Sequence, residues 1–252
     1  MPTPQMTNLD IFASDTLASI LSLLCTGEIE VIGQVTWSSN YTFLTQIEGE
    51  GGQLPAIYKP ARGERPLWDF PGGSLAARET AAFHLSQALG WNFVPPTVLR
   101  DDGPAGPGSL QLFVEVDHDR HYFTMDETEK EMLRPVVLFD ILINNADRKG
   151  GHVLLDASDQ IWLIDHGVCF HSDYKLRTVI WDFIGEPIPD DLLSDLRRLS
   201  GQLAQNNELY NELRSLLDDE ELTALTLRTS DLLKSGRFPG PGPGRPYPWP
   251  LV

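Results

Sequence analysis

Basic residues are scarce in this sequence: 19 Lys and Arg stand against 36 Asp and Glu over 252 residues, a formal net charge of −17. So acidic a chain lacks the basic face that nucleic acids and anionic membranes need for counterion release, which argues against both as partners. Long apolar runs are also missing. No stretch of about 18 apolar residues occurs, so integral membrane association is not expected. Residues 1–10, MPTPQMTNLD, lack the basic start and apolar centre of a secretory signal, and a cytoplasmic location is expected. Cysteine is limited to Cys25 and Cys169, too few for a disulfide framework or a cysteine-based zinc site. GxSxG, HExxH and the Walker GxxxxGK[ST] pattern are absent. A hydrophobic content of 41% still suffices for a sizeable core, and the length suits one large domain or two tightly joined lobes.

Residues 15–26 read as a short helix that Ser14 or Asp15 caps and Gly27 ends. Three strand-like runs follow at 28–36, 41–47 and 55–59, joined by the polar loop Trp37–Asn40 and the Gly-rich turn 48–53. Links this short favour an antiparallel meander. A helix is expected over Ser74–Gly90, strands over 96–100 and 109–116, and a helix near 126–143. Beyond a hairpin near 153–165, helices are expected across 190–234, as part of a second lobe or as an acidic partner surface. Six Pro and four Gly among residues 236–252 predict a disordered or polyproline-like tail, whose GRPYPWP could dock on a protein partner. A mainly β first part and a mainly helical second part suggest two lobes around a cleft, with 113–118 as the connector.

Two sets of polar residues stand out against this periodicity. In the 74–90 helix, Leu75, Ala82 and Leu89 recur every seven residues, and Glu79 falls on their stripe. A carboxylate pointing inward needs a cationic partner, for which Lys59 at the end of AIYK is the candidate; otherwise Glu79 snorkels at the edge of the stripe and Lys59 meets water. The second set lies in 138–167. VLLD and IWLID flank ASDQ, a four-residue hairpin loop. Pairing Asp156 with Ile161 places His152 opposite Asp165, with Cβ atoms about 4.5–5.5 Å apart. Asp147 lies five residues before His152, across RKGG. These groups read either as a polar turn with a local Asp–His hydrogen bond or as a site for a hard divalent cation, with His152 a softer second ligand. His84 reads as a core or edge histidine, and His118 and His121 as residues of a solvated loop.

In this order the segments WSSNYTFL (37–44), IYKP (57–60), RETAAFHLSQALG (78–90), NNADRKGGH (144–152) and LIDHG (163–167) resemble the atypical kinase superfamily that includes phosphoinositide 3-/4-kinases and HipA-like kinases. The likeness is greatest to a small bacterial phosphatidylinositol-kinase-like branch, and it covers roughly residues 30–185. It implies an α+β, two-lobed, protein-kinase-like fold: a small antiparallel β-rich N-lobe (1–116), a mainly helical C-lobe (117–235) and a tail (236–252). It implies ATP and Mg or Mn as cofactors and an unidentified hydroxyl acceptor. By the same resemblance, Lys59 holds the α/β-phosphates, Glu79 orients it, and backbone N–H groups around Ser38, Ser39 and Asn40 cover the phosphates. Glu115 and Val116 offer hinge backbone to adenine. Asp147 accepts or positions the acceptor's proton, and Lys149 supplies positive charge to the transferring phosphoryl group. Asp165 and His152 bind the metal. The chain departs from the family at two positions: His152 stands at the ligand Asn, and Lys149 at the His after Asp-Arg. The implied activity is ATP-dependent transfer of a phosphoryl group to a soluble small molecule or a protein. The alternatives are a nucleotide-binding pseudokinase with a regulatory or scaffold role, and a metal-dependent hydrolase or binding domain sharing only local patterns.

Overall fold

The computed structural model describes residues 8–35, 41–205 and 207–252. A single helical turn, α1 (Asn8–Ile11), leads into α2 (Ser14–Thr26). Leu17, Ile20, Leu23 and Leu24 recur at helical spacing along α2, and all are buried. Gly27 donates the last helical N–H to the Leu23 carbonyl (2.8 Å) and ends the helix by turning its own backbone extended. The expected meander follows as β1 (Glu28–Gln34), β2 (Phe43–Gly49) and β3 (Gly52–Pro60), all antiparallel. After α3 (Leu75–Ala88), the strands β4 (Thr97–Arg100) and β5 (Gly108–Leu112) complete one sheet of order β1-β2-β3-β5-β4.

The strand expected over 109–116 ends at Leu112. Phe113 still donates its N–H to the Pro55 carbonyl (3.0 Å), but Pro55 has no N–H to return and the ladder stops there. Residues 113–116 then link to β6 (Asp117–His121), which lies where a solvated loop was expected. The helix expected near 126–143 is two helices, α4 (Glu127–Glu131) and α5 (Arg134–Ile143). The side chains of Asp126 and Glu129 form a capping box on α4, and Pro135 opens α5 in the first turn, where its missing N–H costs nothing. The strands β7 (Val153–Leu155) and β8 (Ile161–Leu163) join β6 in a second sheet, and α6 (Asp190–Gln202), α7 (Glu208–Arg214) and α8 (Asp219–Ser235) finish the helical part. The expected α+β architecture is present, with an antiparallel sheet first and helices after it. Leu196, Leu199, Leu213 and Leu225 bury α6, α7 and α8 in the larger core, so these helices belong to the second lobe.

Segment 236–252 corrects an expectation. It forms neither helix nor strand, yet it is not disordered: Phe238 is 2% exposed, and the Pro246 and Leu251 carbonyls accept hydrogen bonds from Thr178 and Gly150. Proline forfeits its donor but keeps its acceptor, so such a segment can be pinned by carbonyls alone. Among the described residues no helix is long and apolar enough to cross a membrane.

The two lobes share packing. Ala81, Ala82, Phe83 and Leu85 of α3 are buried in the larger, C-terminal core, and Trp162 of β8 is buried in the smaller, N-terminal one, where Phe12 stacks on it. Arg78 of α3 forms a buried ion pair with Glu221 of α8, with side chains 3% and 8% exposed. Removing one partner of a buried pair strands the other charge. Arg78→Met is therefore expected to lower the unfolding free energy by about 3–5 kcal/mol. The measurement is a chemical denaturation curve whose midpoint falls while its slope is unchanged.

Candidate functional site

Residues alternate across β3, so the buried Tyr58 faces one core while Lys59 leaves from the opposite face, toward α3. There Lys59 Nζ meets Glu79 Oε1 at 2.6 Å, and Glu79 is only 3% exposed. Of the two readings of Glu79, the inward carboxylate with a cationic partner is the observed one. Lys59 Nζ also lies 3.2 Å from Asp165 Oδ1, in the turn after β8. Desolvation works against the lysine's charge, but Glu79 and Asp165 outweigh it and hold its pKa above the usual lysine range. Desolvation likewise opposes ionisation of Asp165, and Lys59, His152 and Lys149 together hold that carboxyl well below its ordinary range. Gly167 lets the turn approach α3: a Cβ there would sit 3.2 Å from Leu75 Cβ.

The β7–β8 hairpin differs by one position from the expected register. Leu155 rather than Asp156 pairs with Ile161, and the connection runs over 156–160 because the Asp156 carboxylate is spent on the turn, accepting from the backbone N–H groups of Ser158 and Gln160. Ile164 therefore comes opposite His152 and donates its N–H to the His152 carbonyl (3.2 Å). A one-residue slip normally turns a side chain to the other face. Asp165 escapes that rule because its φ of 62° takes it out of the strand conformation. Its Oδ2 ends 3.5 Å from His152 Nε2, so the expected neighbours meet by a different route.

Asp147 lines the same cleft; Lys149 does not line it, but its Nζ lies 3.1 Å from Asp147 Oδ2. Their loop is held by groups that pattern reading missed. Arg148 is fully buried and pairs with Asp140 of α5 (Nη2–Oδ1 2.9 Å). Its Nη1 donates to the carbonyls of His152 (3.3 Å) and Ile164 (3.1 Å), and its Nη2 lies 2.9 Å from His166 Nε2. Asn145 donates to Asp140 Oδ1 (3.1 Å) and accepts from the Asp147 N–H (3.0 Å). Asp140 was visible as a lone carboxylate in the apolar run VVLFDILI. His166 carried no comparable signal. Burial drives its pKa far down, so it is neutral and accepts from Arg148. Glu64 was also missed; it accepts from the N–H groups of Gly73, Leu75 and Ala76 at the start of α3 and lines the cleft beside Lys59.

Ser38, Ser39 and Asn40 lie outside the described residues. Glu115 and Val116 fall in the link between the sheets, and neither lines the cleft around Lys59. Among the described residues no three His, Cys, Asp or Glu side chains form a metal cage. Asp165 and His152 nevertheless make a usable pair. Burial pushes the His152 imidazole down to about 4, leaving it neutral and able to ligate, and its Nδ1 is buried without a hydrogen-bond partner. The carboxylate suits a hard divalent cation and the imidazole a softer one, so the pair would fit manganese better than magnesium, with the remaining ligands supplied by other oxygens.

No family model matches the chain. It is 40% identical to protein Rv2133c of Mycobacterium tuberculosis over 264 aligned positions, which cover 91% of this chain and 94% of that protein. A shorter segment is 33% identical to phosphatidylinositol 4-kinase gamma 4 of Oryza sativa subsp. japonica, covering 43% of this chain and 22% of that protein. Among solved structures, the Golgi casein kinase with Mn/ADP bound superposes with a TM-score of 0.54 at 16% identity, covering 88% of this chain and 76% of that one. The Helicobacter pylori proinflammatory kinase CtkA gives 0.51 at 14% identity, over 85% and 94% of the two chains. The two-lobed, kinase-like fold expected from the ordered motifs is the fold these structures share with the chain.

Desolvation raises the Asp147 carboxyl above the ordinary value of 3.8, and Lys149 only partly opposes it. Folding thus favours the protonated form: the cost of the charge is absent below pH 3.8 and complete above the raised folded pKa. Asp147→Asn removes that cost. The variant is expected to melt above the parent at pH 7, with the difference shrinking toward pH 4, as read from thermal melts at both pH values. A variant no more stable than the parent at pH 7 would contradict the desolvation.

Proposed function

The chain belongs to the family of the Mycobacterium tuberculosis protein Rv2133c, and on that premise we propose that it is an ATP-dependent, metal-assisted phosphotransferase acting on a hydroxyl of a soluble small molecule or a protein. One observation carries this reading: a lysine from the sheet lobe sits between a helix glutamate (2.6 Å) and the carboxylate of the following lobe (3.2 Å). A cation so held is placed to grip phosphate oxygens, because its charge is fixed and its position does not drift.

In this proposal Lys59 binds the α/β-phosphates and Glu79 orients it. Amides around Ser38, Ser39 and Asn40 cover the phosphates, and the link at Glu115 and Val116 meets the adenine. A bound Mg or Mn ion would neutralise phosphate charge as the bond to the leaving group loosens. Asp165 and His152 would hold it. Asp147 accepts a hydrogen bond from the acceptor hydroxyl and takes its proton as transfer proceeds; its raised pKa suits that role at neutral pH. Lys149, 3.1 Å from Asp147, is close enough to turn toward the transferring group. Residues 1–116 then act as the nucleotide-binding lobe and 117–235 as the catalytic one. The net charge of −17 disfavours an anionic membrane, so a soluble acceptor is preferred to a phosphoinositide despite the partial likeness to phosphatidylinositol 4-kinase gamma 4. Two free thiols, Cys25 and Cys169, suit a reducing cytoplasm.

Ligand that binds only the folded state raises Tm by mass action, by about 2.7 kcal/mol of stability at a hundred times Kd. ATP with Mg or Mn is expected to raise the Tm of the parent; Lys59→Ala should abolish the rise and Asp165→Asn its metal-dependent part. Asp147→Asn should keep the rise but release ADP about 10²–10⁴-fold more slowly. A Tm indifferent to nucleotide would sink the proposal. A rise in Tm without any ADP release would instead identify the pseudokinase.

A further inference from the structure

The chain turns back after α8 at Gly236, whose φ is 59°, and then passes the 185–188 segment, Tyr174, Thr178 and Gly150 of the loop that follows Asp147. It is first pinned to 185–188: Phe238 donates its N–H to the Glu186 carbonyl (3.0 Å), and its own carbonyl accepts from the Gly185 N–H (2.9 Å). Gly242 donates its N–H to Tyr174 Oη (2.9 Å). The Pro246 carbonyl accepts from the Thr178 N–H (3.1 Å) and from Trp181 Nε1 (3.4 Å). Pro248 is buried. The Leu251 carbonyl accepts the Gly150 N–H at 2.8 Å.

Thr178 and Gly150 belong to one backbone arrangement. Arg148 donates its N–H to the Arg177 carbonyl (3.0 Å), and its carbonyl accepts from Val179 (3.2 Å). The 148–150 and 177–179 segments therefore lie side by side, and the 246–251 segment takes one amide from each. Gly150 has no room of its own. A Cβ there would overlap the Phe123 ring on one side and touch the Leu251 carbonyl at 3.5 Å on another. Proline at 246, 248 and 250 restricts the free segment, so less conformational freedom is lost on docking. No described contact of the strap reaches Lys59 or Glu79.

We propose that residues 246–251 are a positioning element of the active site, a strap whose acceptors on Gly150 and Thr178 set the loop that carries Asp147, Lys149 and His152. The strap holds the loop for chemistry and leaves the phosphate anchor untouched. Its kinetic consequence rests on the phosphotransferase reading; its hold on the loop does not.

Two variants test this, Pro248→Asp in the full chain and a chain lacking 246–252, each compared with the parent by hydrogen–deuterium exchange and by ADP release from ATP with Mg or Mn. Exchange in 147–152 and 177–179 is expected to quicken at least about tenfold while exchange in β3 is unchanged. Turnover should fall about 10²-fold, as a loop misplaced by about 1 Å would give, with the KM for ATP within roughly twofold of the parent. A synthetic peptide, RPYPWPLV, added to the shortened chain should restore both exchange protection and turnover. Unchanged exchange at Gly150 in both variants overturns the inference, as does faster exchange with undiminished turnover, or a peptide that restores exchange protection but not turnover. If the parent itself releases no ADP, the phosphotransferase reading is what fails, and exchange with peptide add-back still decides whether the strap holds the loop.

Discussion

The contact between Lys59 and its two carboxylates organises this protein. A lysine largely withdrawn from water keeps its charge more readily where opposite charge is supplied at short range, and here the supply comes from two directions, Glu79 at 2.6 Å and Asp165 at 3.2 Å. Glu79 fixes how α3 lies against the sheet. Asp165 fixes how the turn after β8 meets both. Gly167 eases that meeting, because a Cβ there would sit tight against Leu75. One ammonium group therefore sets the relative position of a strand, a helix and a loop, and the cleft is the space they leave.

A second, more deeply buried network holds the opposite wall. Arg148 spends its guanidinium on Asp140, on the carbonyls of His152 and Ile164, and on His166. A fully buried arginine is tolerable only if nearly every donor finds an acceptor, and this one ties the loop of Asp147 to the turn of Asp165 in doing so. In the proposed reaction the groups that meet ligand are the smaller part of the machinery. The larger part is the set of buried polar side chains that gives them no freedom to wander.

Periodicity and turn chemistry made much of this legible. The α2 helix ending at Gly27, the β1–β3 meander and the two-lobed order follow from spacing and punctuation, and a charge on an apolar stripe singled out Glu79 and its candidate partner Lys59 without deciding between an inward and a snorkelling carboxylate. The hairpin at 153–163 was legible as a hairpin but not in register, since Asp156 could serve the strand or the turn and only the turn offers it several N–H donors. His166 and Arg148 escaped notice because a buried polar residue in a loop breaks no pattern. The tail misled for a related reason. Its composition excludes helix and sheet correctly, but whether a carbonyl-rich segment finds donors elsewhere depends on residues far away in sequence, here Gly150, Tyr174 and Thr178.

Trp162 belongs by sequence to the second lobe and by burial to the core of the first, where Phe12 stacks on it at 6.1 Å. Swinging the lobes apart about the 113–116 link would drag that indole into water, along with the faces of α3 that the larger core covers. The hydrophobic effect thus acts as a stop on wide gaping. In the proposed reaction, traffic into and out of the cleft would then rely on small, local yielding at its rim, and the molecule is built less like a pair of jaws than like a vise set to a narrow gap.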